Sequence, residues 1–277
     1  MANPILNEKT FENATIEASG GTLPAPDAAS RVQPITDGPI SPYRPFKPMT
    51  LDGTLAATGI LFVLLLASAV WGWSLVKTTT DNVTGQAAVT TFPGWSIFAI
   101  LIGFVAVIVA SRKPTLSKYL APVYAIAEGV FVGAISHAYN VQWDGIVLQA
   151  VGATLGVFFV MLFLYRARIV KVTDKFRSVV IGATLGLALF YLVALVFSLF
   201  GGSIAFFQSA SLFGIGFSVL AAGLASLNLL LDFDLIERGV NGAAPRYMEW
   251  FAGMALLVTL VWLYLELLRL LAKLRSR

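Results

Sequence analysis

Long apolar stretches alternate with short polar connections along most of this chain. A bilayer core about 30 Å thick needs about 20 helical residues to cross it, and a backbone in lipid must satisfy its own hydrogen bonds. The pattern therefore predicts an all-α membrane protein with seven transmembrane helices, of which the second is short and could extend back to Phe92. The predicted spans are Leu55–Leu75, Trp95–Ala110, Tyr119–His137, Gly145–Tyr165, Val179–Phe200, Ala210–Leu231 and Trp250–Ala272.

Residues 1–48 do not share this pattern. They contain five acids, four bases and scattered proline, glycine, alanine and serine, without any apolar period. Such a composition buries too little apolar surface to offset the entropy of ordering the chain. We therefore expect a disordered cytoplasmic tail over residues 1–48 and a seven-helix transmembrane domain over residues 49–277. A signal peptide is not expected, because the first long apolar stretch begins only near Leu55.

Composition agrees with a membrane protein and excludes several chemistries. Apolar residues make up 57% of the chain and charged residues 12%, whereas soluble domains have about 25% charged residues. The chain has no cysteine, which excludes thiol catalysis, disulfides and cysteine-based metal sites. A single histidine excludes a histidine-rich metal site. We expect no resident cofactor.

The basic residues predict the orientation in the membrane. Connections after the second, fourth and sixth helices hold ten of them, whereas those after the first, third and fifth hold only Lys77. The positive-inside rule then places the N-terminus and these three connections on the cytoplasmic side of a cell membrane, either a plasma membrane or a bacterial inner membrane. The net charge of +4 thus reflects topology, and nucleic acid is not an expected partner. The ten bases are Arg112, Lys113, Lys118, Arg166, Arg168, Lys171, Lys175, Arg177, Arg238 and Arg246.

The C-terminal tail conflicts with this rule. Seven spans place the C-terminus outside, yet the last nine residues carry four bases, which are Arg269, Lys273, Arg275 and Arg277. We retain seven spans as the prediction.

Two carboxylates at membrane depth are the main candidates for function. Glu128 lies near the middle of the third predicted helix, and Asp232 directly follows three leucines at the end of the sixth. An acid in the bilayer costs about 2.5–3.5 kcal/mol on insertion scales, so it usually faces a bundle interior or water. The competing interpretation is a structural tie, for example to Arg112 or Asn228.

Other charged residues have simpler explanations. Asp234 and Glu237 are expected to be solvated charges at a helix end, and Glu266 is expected to pair with Arg269 three residues later. His137 is expected to be a polar anchor at the membrane interface. An enzyme is not predicted, because the chain lacks a histidine after Ser218, a Gly-x-Gly-Asp segment and a phosphate-binding glycine loop.

Three pairs of glycines have the GxxxG spacing that permits close helix contact. They are Gly129 with Gly133, Gly152 with Gly156 and Gly182 with Gly186. Packing within one molecule is the favoured interpretation over a dimer contact.

Several segments together resemble the Bax inhibitor-1 (transmembrane Bax inhibitor motif) family, in particular its bacterial, YccA-like branch. The resemblance covers about residues 46–277. It rests on the order and spacing of FKPMTLDG at Phe46–Gly53, PVYAIAEGVFVGAIS at Pro122–Ser136, LDFDLIERG at Leu231–Gly239 and LYLELLRLL at Leu263–Leu271.

The resemblance implies a fold and an activity. Family members look like bundles in which helices one to six surround a central seventh helix, and several are linked to a pH-sensitive calcium leak. In those members an aspartate at the end of helix six pairs with an aspartate in helix seven, and a helix-two arginine competes for the first aspartate. Asp232, followed by Ile236, matches the first aspartate, and Arg112 corresponds loosely to the arginine. Thr259 stands where the second aspartate is expected.

This substitution divides the functional hypotheses. Two close carboxylates can share a proton, whereas Asp232 with Thr259 cannot, unless Glu128 or Asp234 supplies the second carboxylate. The first hypothesis is a cation leak, with calcium as the permeating ion and Asp232, Glu128 and Asn228 as candidate oxygen ligands. The second is a non-conducting modulator of a membrane-bound AAA protease or another membrane partner. A transporter with broken helices fits less well, because Pro122 and Gly201–Gly202 lie near helix ends.

Overall fold

A computed structural model describes residues 47–80, 87–91, 96–200 and 210–277 of the chain. The predicted disordered tail lies outside the described residues as far as residue 46, and so does the proposed extension of the second helix to Phe92. At the start of the described chain, Lys47 O accepts a hydrogen bond from Arg246 N at 3.1 Å, and Met49 N donates to Ala244 O at 2.6 Å. The residues from Lys47 onward therefore pack against the α6–α7 connection.

The described residues form seven α-helices, as the apolar pattern predicts. Six of them are long and apolar enough to cross a bilayer, and the second is shorter, with 17 residues. The helices are α1 (Leu51–Ser74), α2 (Ser96–Arg112), α3 (Ser117–Gln142), α4 (Ile146–Arg166), α5 (Asp174–Leu199), α6 (Leu212–Asn241) and α7 (Met248–Arg275). A short 3-10 helix, Pro114–Leu116, precedes α3. The prediction of an all-α membrane protein is confirmed.

Polar side chains define where several helices begin. Thr50 accepts a hydrogen bond from Gly53 N at the start of α1, and Thr173 accepts one from Phe176 N at the start of α5. Each bond satisfies one of the backbone donors left over in a first helical turn. Before α4, Gly145 adopts a φ of 73°, a conformation that glycine enters without steric cost.

A β-hairpin between α1 and α2 was not expected from the sequence. Strands β1 (Lys77–Thr80) and β2 (Ala87–Thr91) pair antiparallel, with Thr78 opposite Val89 and Thr80 opposite Ala87. Threonine, valine and alanine here carry no alternation of apolar and polar positions, so the strand pattern was weak.

Helix α7 is the most enclosed of the candidate spans. In its most apolar stretch 72% of the residues are buried, against 17% for α4 and for α5. It packs against α1, α3, α4 and α6, and Tyr191 of α5 contacts Arg269 near its end. Helix α2 packs mainly on α3, at the outside of the bundle. The central position expected for the seventh helix is therefore observed.

The helices define an N-terminal end and a C-terminal end of the bundle, named by the ends of the odd-numbered helices. At the N-terminal end, where α1, α3, α5 and α7 begin, the connections after α2, α4 and α6 carry the ten bases listed above. At the C-terminal end, where the odd-numbered helices finish, Arg275 donates a hydrogen bond to Asp144 O at 2.6 Å. The described chain thus begins at one end of the bundle and finishes at the other, as an odd number of spans predicts.

The C-terminal bases, which conflicted with the positive-inside rule, have partners inside the protein. Arg269 pairs with Glu266 at 3.0 Å, and Lys273 donates to Gly214 O at 3.0 Å and to Ser218 Oγ at 2.9 Å. Lys273 is only 6% exposed. Because their charges interact with protein groups, Arg269 and Lys273 are poor indicators of membrane sidedness.

Only one of the three GxxxG pairs makes a close helix contact. A Cβ atom at Gly129 would collide with Ser68 Oγ, and one at Gly133 would collide with Ala69 O, so α1 and α3 approach backbone to backbone. Side chains at Gly152, Gly156, Gly182 and Gly186 would meet nothing within 4 Å. The expectation of internal packing is therefore wrong for these two pairs, which lie on the outward faces of α4 and α5.

Candidate functional site

Asp232 lies inside α6 and not at its end. The sequence placed the end of the sixth helix at Leu231, but α6 continues to Asn241. With a rise of 1.5 Å per residue, Asp232 lies about 14 Å from that end. Its side chain is buried, with 1% of the residue exposed. Asp232 is therefore a buried acid within the helix, and its depth in the bilayer stays a prediction.

Asn228 lies one helical turn before Asp232 and faces α5. Residues four apart in a helix share a face, with Cβ atoms about 5–6 Å apart. Asn228 Nδ2 donates to Thr184 Oγ1 at 2.9 Å and to Leu224 O at 2.8 Å. Because Leu224 O accepts only, the amide orientation is determined.

The amide oxygen of Asn228, Oδ1, accepts no hydrogen bond from the described residues. Asn228 is 2% exposed, and among the described residues no hydrogen-bond donor reaches Oδ1. Buried polar atoms in proteins usually have a partner, so such an atom indicates a place for a water molecule or an ion. Asn228 Oδ1 and the Asp232 carboxylate are thus two oxygen-bearing groups on one face of α6.

Asp234 is not the solvated helix-end charge that the sequence suggested. It is 9% exposed, and Oδ2 is 2.9 Å from Arg177 of α5 and 3.0 Å from Arg238, one turn further along α6. The charge-assisted bond from Arg177 ties α5 to α6, and the bond from Arg238 lies within α6. Asp234 therefore acts as a structural link beside Asp232.

Glu237 makes a second link at the same end. It accepts hydrogen bonds from Tyr165 Oη of α4 and from Arg168 in the connection to α5. Arg168 is 65% exposed, so Glu237 is a partly solvated charge, as expected, that also joins α4 to α6.

The arginine at this site is Arg177 and not Arg112. Arg112 is an exposed residue at the end of α2, and within the described residues it makes no ion pair with Asp232 or Glu128. Arg177 was treated as a topology marker, although its position four residues after the Thr173 cap placed it at the membrane end of α5. A base so close to an apolar run was the available signal that it turns inward.

Thr259, which stands at the position of the expected second aspartate, is buried in α7. It lies eleven residues after Met248, about 16 Å along the helix, and so at a depth similar to that of Asp232. Its hydroxyl donates to Ala255 O in its own helix at 3.4 Å. No proton sharing is available to this side chain.

Glu128 lies on α3 at a similar depth but faces α2. A Cβ atom at Gly103 would come within 3.2 Å of Glu128 Oε2, and Tyr124 adjoins the same space. Within the described part of the chain, Glu128 makes no hydrogen bond or ion pair, so the proposed tie to Arg112 is not observed. Glu128 and Asp232 are therefore separate carboxylates, one facing α2 and the other facing the α5 side of α6.

The described residues hold no group of three or more histidine, cysteine, aspartate or glutamate side chains suited to a metal ion. Calcium takes six to eight oxygen ligands in proteins, some of which are water. Asp232 and Asn228 therefore fit a transient contact with a hydrated cation and do not form an all-protein calcium cage.

His137 links α1 to α3 at the C-terminal end. Its ring stacks on Trp73 with the centroids 4.6 Å apart, and Nδ1 lies 2.8 Å from Trp73 O. His137 thus links two helices, and its predicted role as a polar anchor at the membrane interface stays a prediction.

Six long apolar helices and a shorter seventh define a multi-pass α-helical membrane protein. A family model described as Bax inhibitor 1 like matches residues 3–276, and the chain belongs to this family. The family resemblance inferred from the helix motifs is thereby confirmed. No curated protein and no solved structure matches the chain.

Proposed function

We propose that this protein is a pH-sensitive cation leak pathway, with calcium as the permeating ion and Asp232 and Asn228 as oxygen ligands near the N-terminal end. The observation that carries the proposal is Asn228 Oδ1, a buried acceptor that no donor reaches within the described residues. It lies one turn from a buried carboxylate on the same face of α6. On the predicted orientation this end lies on the cytoplasmic side of a plasma membrane or a bacterial inner membrane.

The small number of ligands agrees with conduction. An ion must bind well enough to enter a pathway and weakly enough to leave it. A single carboxylate and an amide oxygen, with water completing the shell, meet this requirement better than a closed cage of acids.

The ion pairs of Asp234 give the pathway a contact that can open or close. The pair of Arg177 with Asp234 keeps α5 against α6 near Asp232, and Arg238 of α6 supports the same carboxylate. Separation of the Arg177–Asp234 pair would let α5 and α6 move apart and would open a route for a cation to Asp232.

Protons compete with cations for the same carboxylate. Protonation of Asp232 removes the charge that attracts a cation, so flux that depends on this side chain depends on pH. Glu128 is a second titratable group at a similar depth, and its position against Gly103 makes it a candidate for a proton-dependent contact between α2 and α3.

Calcium flux into liposomes tests the proposal. The protein is reconstituted with an enclosed calcium dye, and flux is measured between about pH 5 and pH 8. We expect flux above that of empty liposomes, a large loss in Asp232→Asn and a flatter pH profile in that variant. The amide of asparagine has the size of the aspartate side chain, but it carries no charge and does not titrate.

Asp52→Asn is the matched control. Asp52 is exposed in the first turn of α1, at the same end of the bundle, so the substitution makes the same change of charge outside the interior. Its flux should equal that of the wild type. Wild-type flux no greater than that of empty liposomes at every pH would overturn the proposal, as would equal flux in Asp232→Asn.

A non-conducting role as modulator of a membrane-bound AAA protease is the second proposal. It is favoured by Thr259, whose hydroxyl bonds to its own helix where a proton-sharing partner for Asp232 is expected. Lys47 and Met49 form hydrogen bonds with the α6–α7 connection, so a partner that binds the preceding residues would be recruited to this end of the bundle. Affinity purification of the full chain and of a chain lacking residues 1–46 tests this role, and loss of a co-purifying protease on deletion is the expected result.

A further inference from the structure

A cavity of about 440 Å³ opens at the C-terminal end of the bundle, between the ends of α3 and α7. It lies at the opposite end from Asp232 and Asn228. Six polar or aromatic residues line it, which are Tyr139, Gln142, Trp143, Arg269, Lys273 and Ser276.

The lining carries positive charge in a largely buried setting. Arg269 and Lys273 contribute two cations, and Glu266, which pairs with Arg269, contributes one anion. Lys273 is 6% exposed, and its ammonium group donates to Gly214 O and Ser218 Oγ, which are uncharged oxygens. These contacts use two of the three N–H donors of the ammonium group, and Lys273 is also among the residues that line the cavity.

The remaining donors suit a phosphate group. Guanidinium and ammonium groups form charge-assisted hydrogen bonds to phosphate oxygens, and the amide of Gln142 adds a neutral donor. The hydroxyl of Ser276 already donates to Lys273 O at 3.2 Å and is not counted among these donors. Tyr139 and Trp143 are aromatic residues of the kind enriched where a helix leaves the membrane.

The position of the cavity indicates the source of the phosphate. Helix α7 has 28 residues and is about 42 Å long, which exceeds a hydrocarbon core of about 30 Å. Its last turns therefore reach the headgroup level, where arginine and lysine side chains can form charge-assisted hydrogen bonds to lipid phosphates.

We propose that this cavity binds the phosphate of an anionic phospholipid headgroup, with Lys273 and Arg269 as the charged contacts. On the predicted orientation the bound lipid belongs to the outer leaflet. A soluble phosphate ester shares the same chemistry and is distinguished by experiment.

Lipid binding by the full chain in detergent tests the proposal. Binding of phosphatidylglycerol, phosphatidylcholine and glycerol phosphate is measured by native mass spectrometry and by the shift of the unfolding temperature. We expect phosphatidylglycerol to bind most tightly. Lys273→Gln should weaken its binding by about tenfold, the value of one charge-assisted hydrogen bond.

Arg277→Gln is the matched control. Arg277 is exposed, lies outside the cavity and has the same charge as Lys273, so this variant should bind phosphatidylglycerol as the wild type does. Because Lys273 also contacts α6, Gln142→Leu provides a second variant at an exposed lining residue, and it should weaken binding without unfolding the protein.

Three results would overturn the proposal. They are equal binding of phosphatidylglycerol and phosphatidylcholine, wild-type binding in both Lys273→Gln and Gln142→Leu, and an equal loss in Arg277→Gln. If glycerol phosphate binds as tightly as phosphatidylglycerol, the lipid assignment is wrong.

Discussion

The two ends of the bundle solve the problem of buried charge in different ways. At the C-terminal end, Glu266 is 2% exposed and accepts hydrogen bonds from Arg269 at 3.0 Å, Tyr191 at 2.6 Å and Trp262 at 3.3 Å. At the N-terminal end, Asp234 holds two arginines, yet Asn228 Oδ1, six residues earlier in α6, receives no donor from the described residues.

This difference separates a carboxylate that stabilises the fold from an acceptor that could bind water or an ion. A carboxylate that accepts three hydrogen bonds from two helices is fully compensated and holds those helices in one arrangement. A buried acceptor that no protein donor reaches is costly unless a water molecule or an ion occupies it. We therefore expect substitutions at the C-terminal end to act on stability, and those around Asn228 and Asp232 to act mainly on transport.

Glu266→Ala should have the largest effect on stability. It leaves Arg269, whose side chain is 30% exposed, without its carboxylate, and loss of one partner of a buried pair costs about 3–5 kcal/mol. The free energy of unfolding in mixed micelles measures this cost. Glu237→Ala is the comparison at the other end, where Arg168 is 65% exposed, and it should cost about 1 kcal/mol or less. Equal costs would remove the distinction between the ends.

Gly133→Ala should come next. The added Cβ atom would collide with Ala69 O, so α1 and α3 must separate, and overpacking of this kind costs about 1–3 kcal/mol. Gly156→Ala makes the same chemical change where nothing lies within 4 Å, and it should leave the unfolding temperature unchanged or raise it slightly. A similar loss in both variants would show that the α1–α3 contact is not as close as described.

Arg177→Gln should destabilise the N-terminal end by about 1 kcal/mol, because Asp234 keeps Arg238 at 3.0 Å. The same change should increase calcium flux, since it removes the link between α5 and α6 beside Asp232. Arg168→Gln, also a base of the α4–α5 connection, should leave flux unchanged. Reduced flux in Arg177→Gln would contradict the gating role assigned to this pair.

His137→Phe should have the smallest effect. The new ring retains the stacking on Trp73 but loses the hydrogen bond between Nδ1 and Trp73 O, which is 2.8 Å long. A net loss of about 1 kcal/mol in the free energy of unfolding is expected. Transport should not change, and a change in flux would place His137 in the pathway.

Most of the fold was predictable because the bilayer constrains helix length and composition strongly. The apolar pattern located all seven helices, and their errors lie at the ends. The largest error is at α6, whose predicted span ends at Leu231 whereas the helix continues to Asn241, and where Asp234 and Glu237 are predicted to be solvated charges at the helix end. The residues after Leu231 remain helical because Asp234 and Glu237 have partners on α4 and α5, which no property of the segment itself reveals.

Less of the site was predictable. Asp232, Glu128 and Asn228 were identified because polar residues are rare at membrane depth. Arg177 was missed, since a base after a helix cap is equally consistent with a topology marker and with an inward-facing partner. Arg112 was assigned by resemblance alone, and its exposed position at the end of α2 does not support a pair with Asp232.

The sequence by itself determined the class of protein, the order of the helices and the family, and it singled out Asp232, because each depends on local composition and spacing. Only the tertiary structure decided which groups meet. The rotation of each helix turns Asn228 toward Thr184, Asp234 toward Arg177 and Glu266 toward Tyr191. Contacts of this kind depend on the relative positions of helices that are 44 to 75 residues apart in the chain, and local periodicity does not encode them.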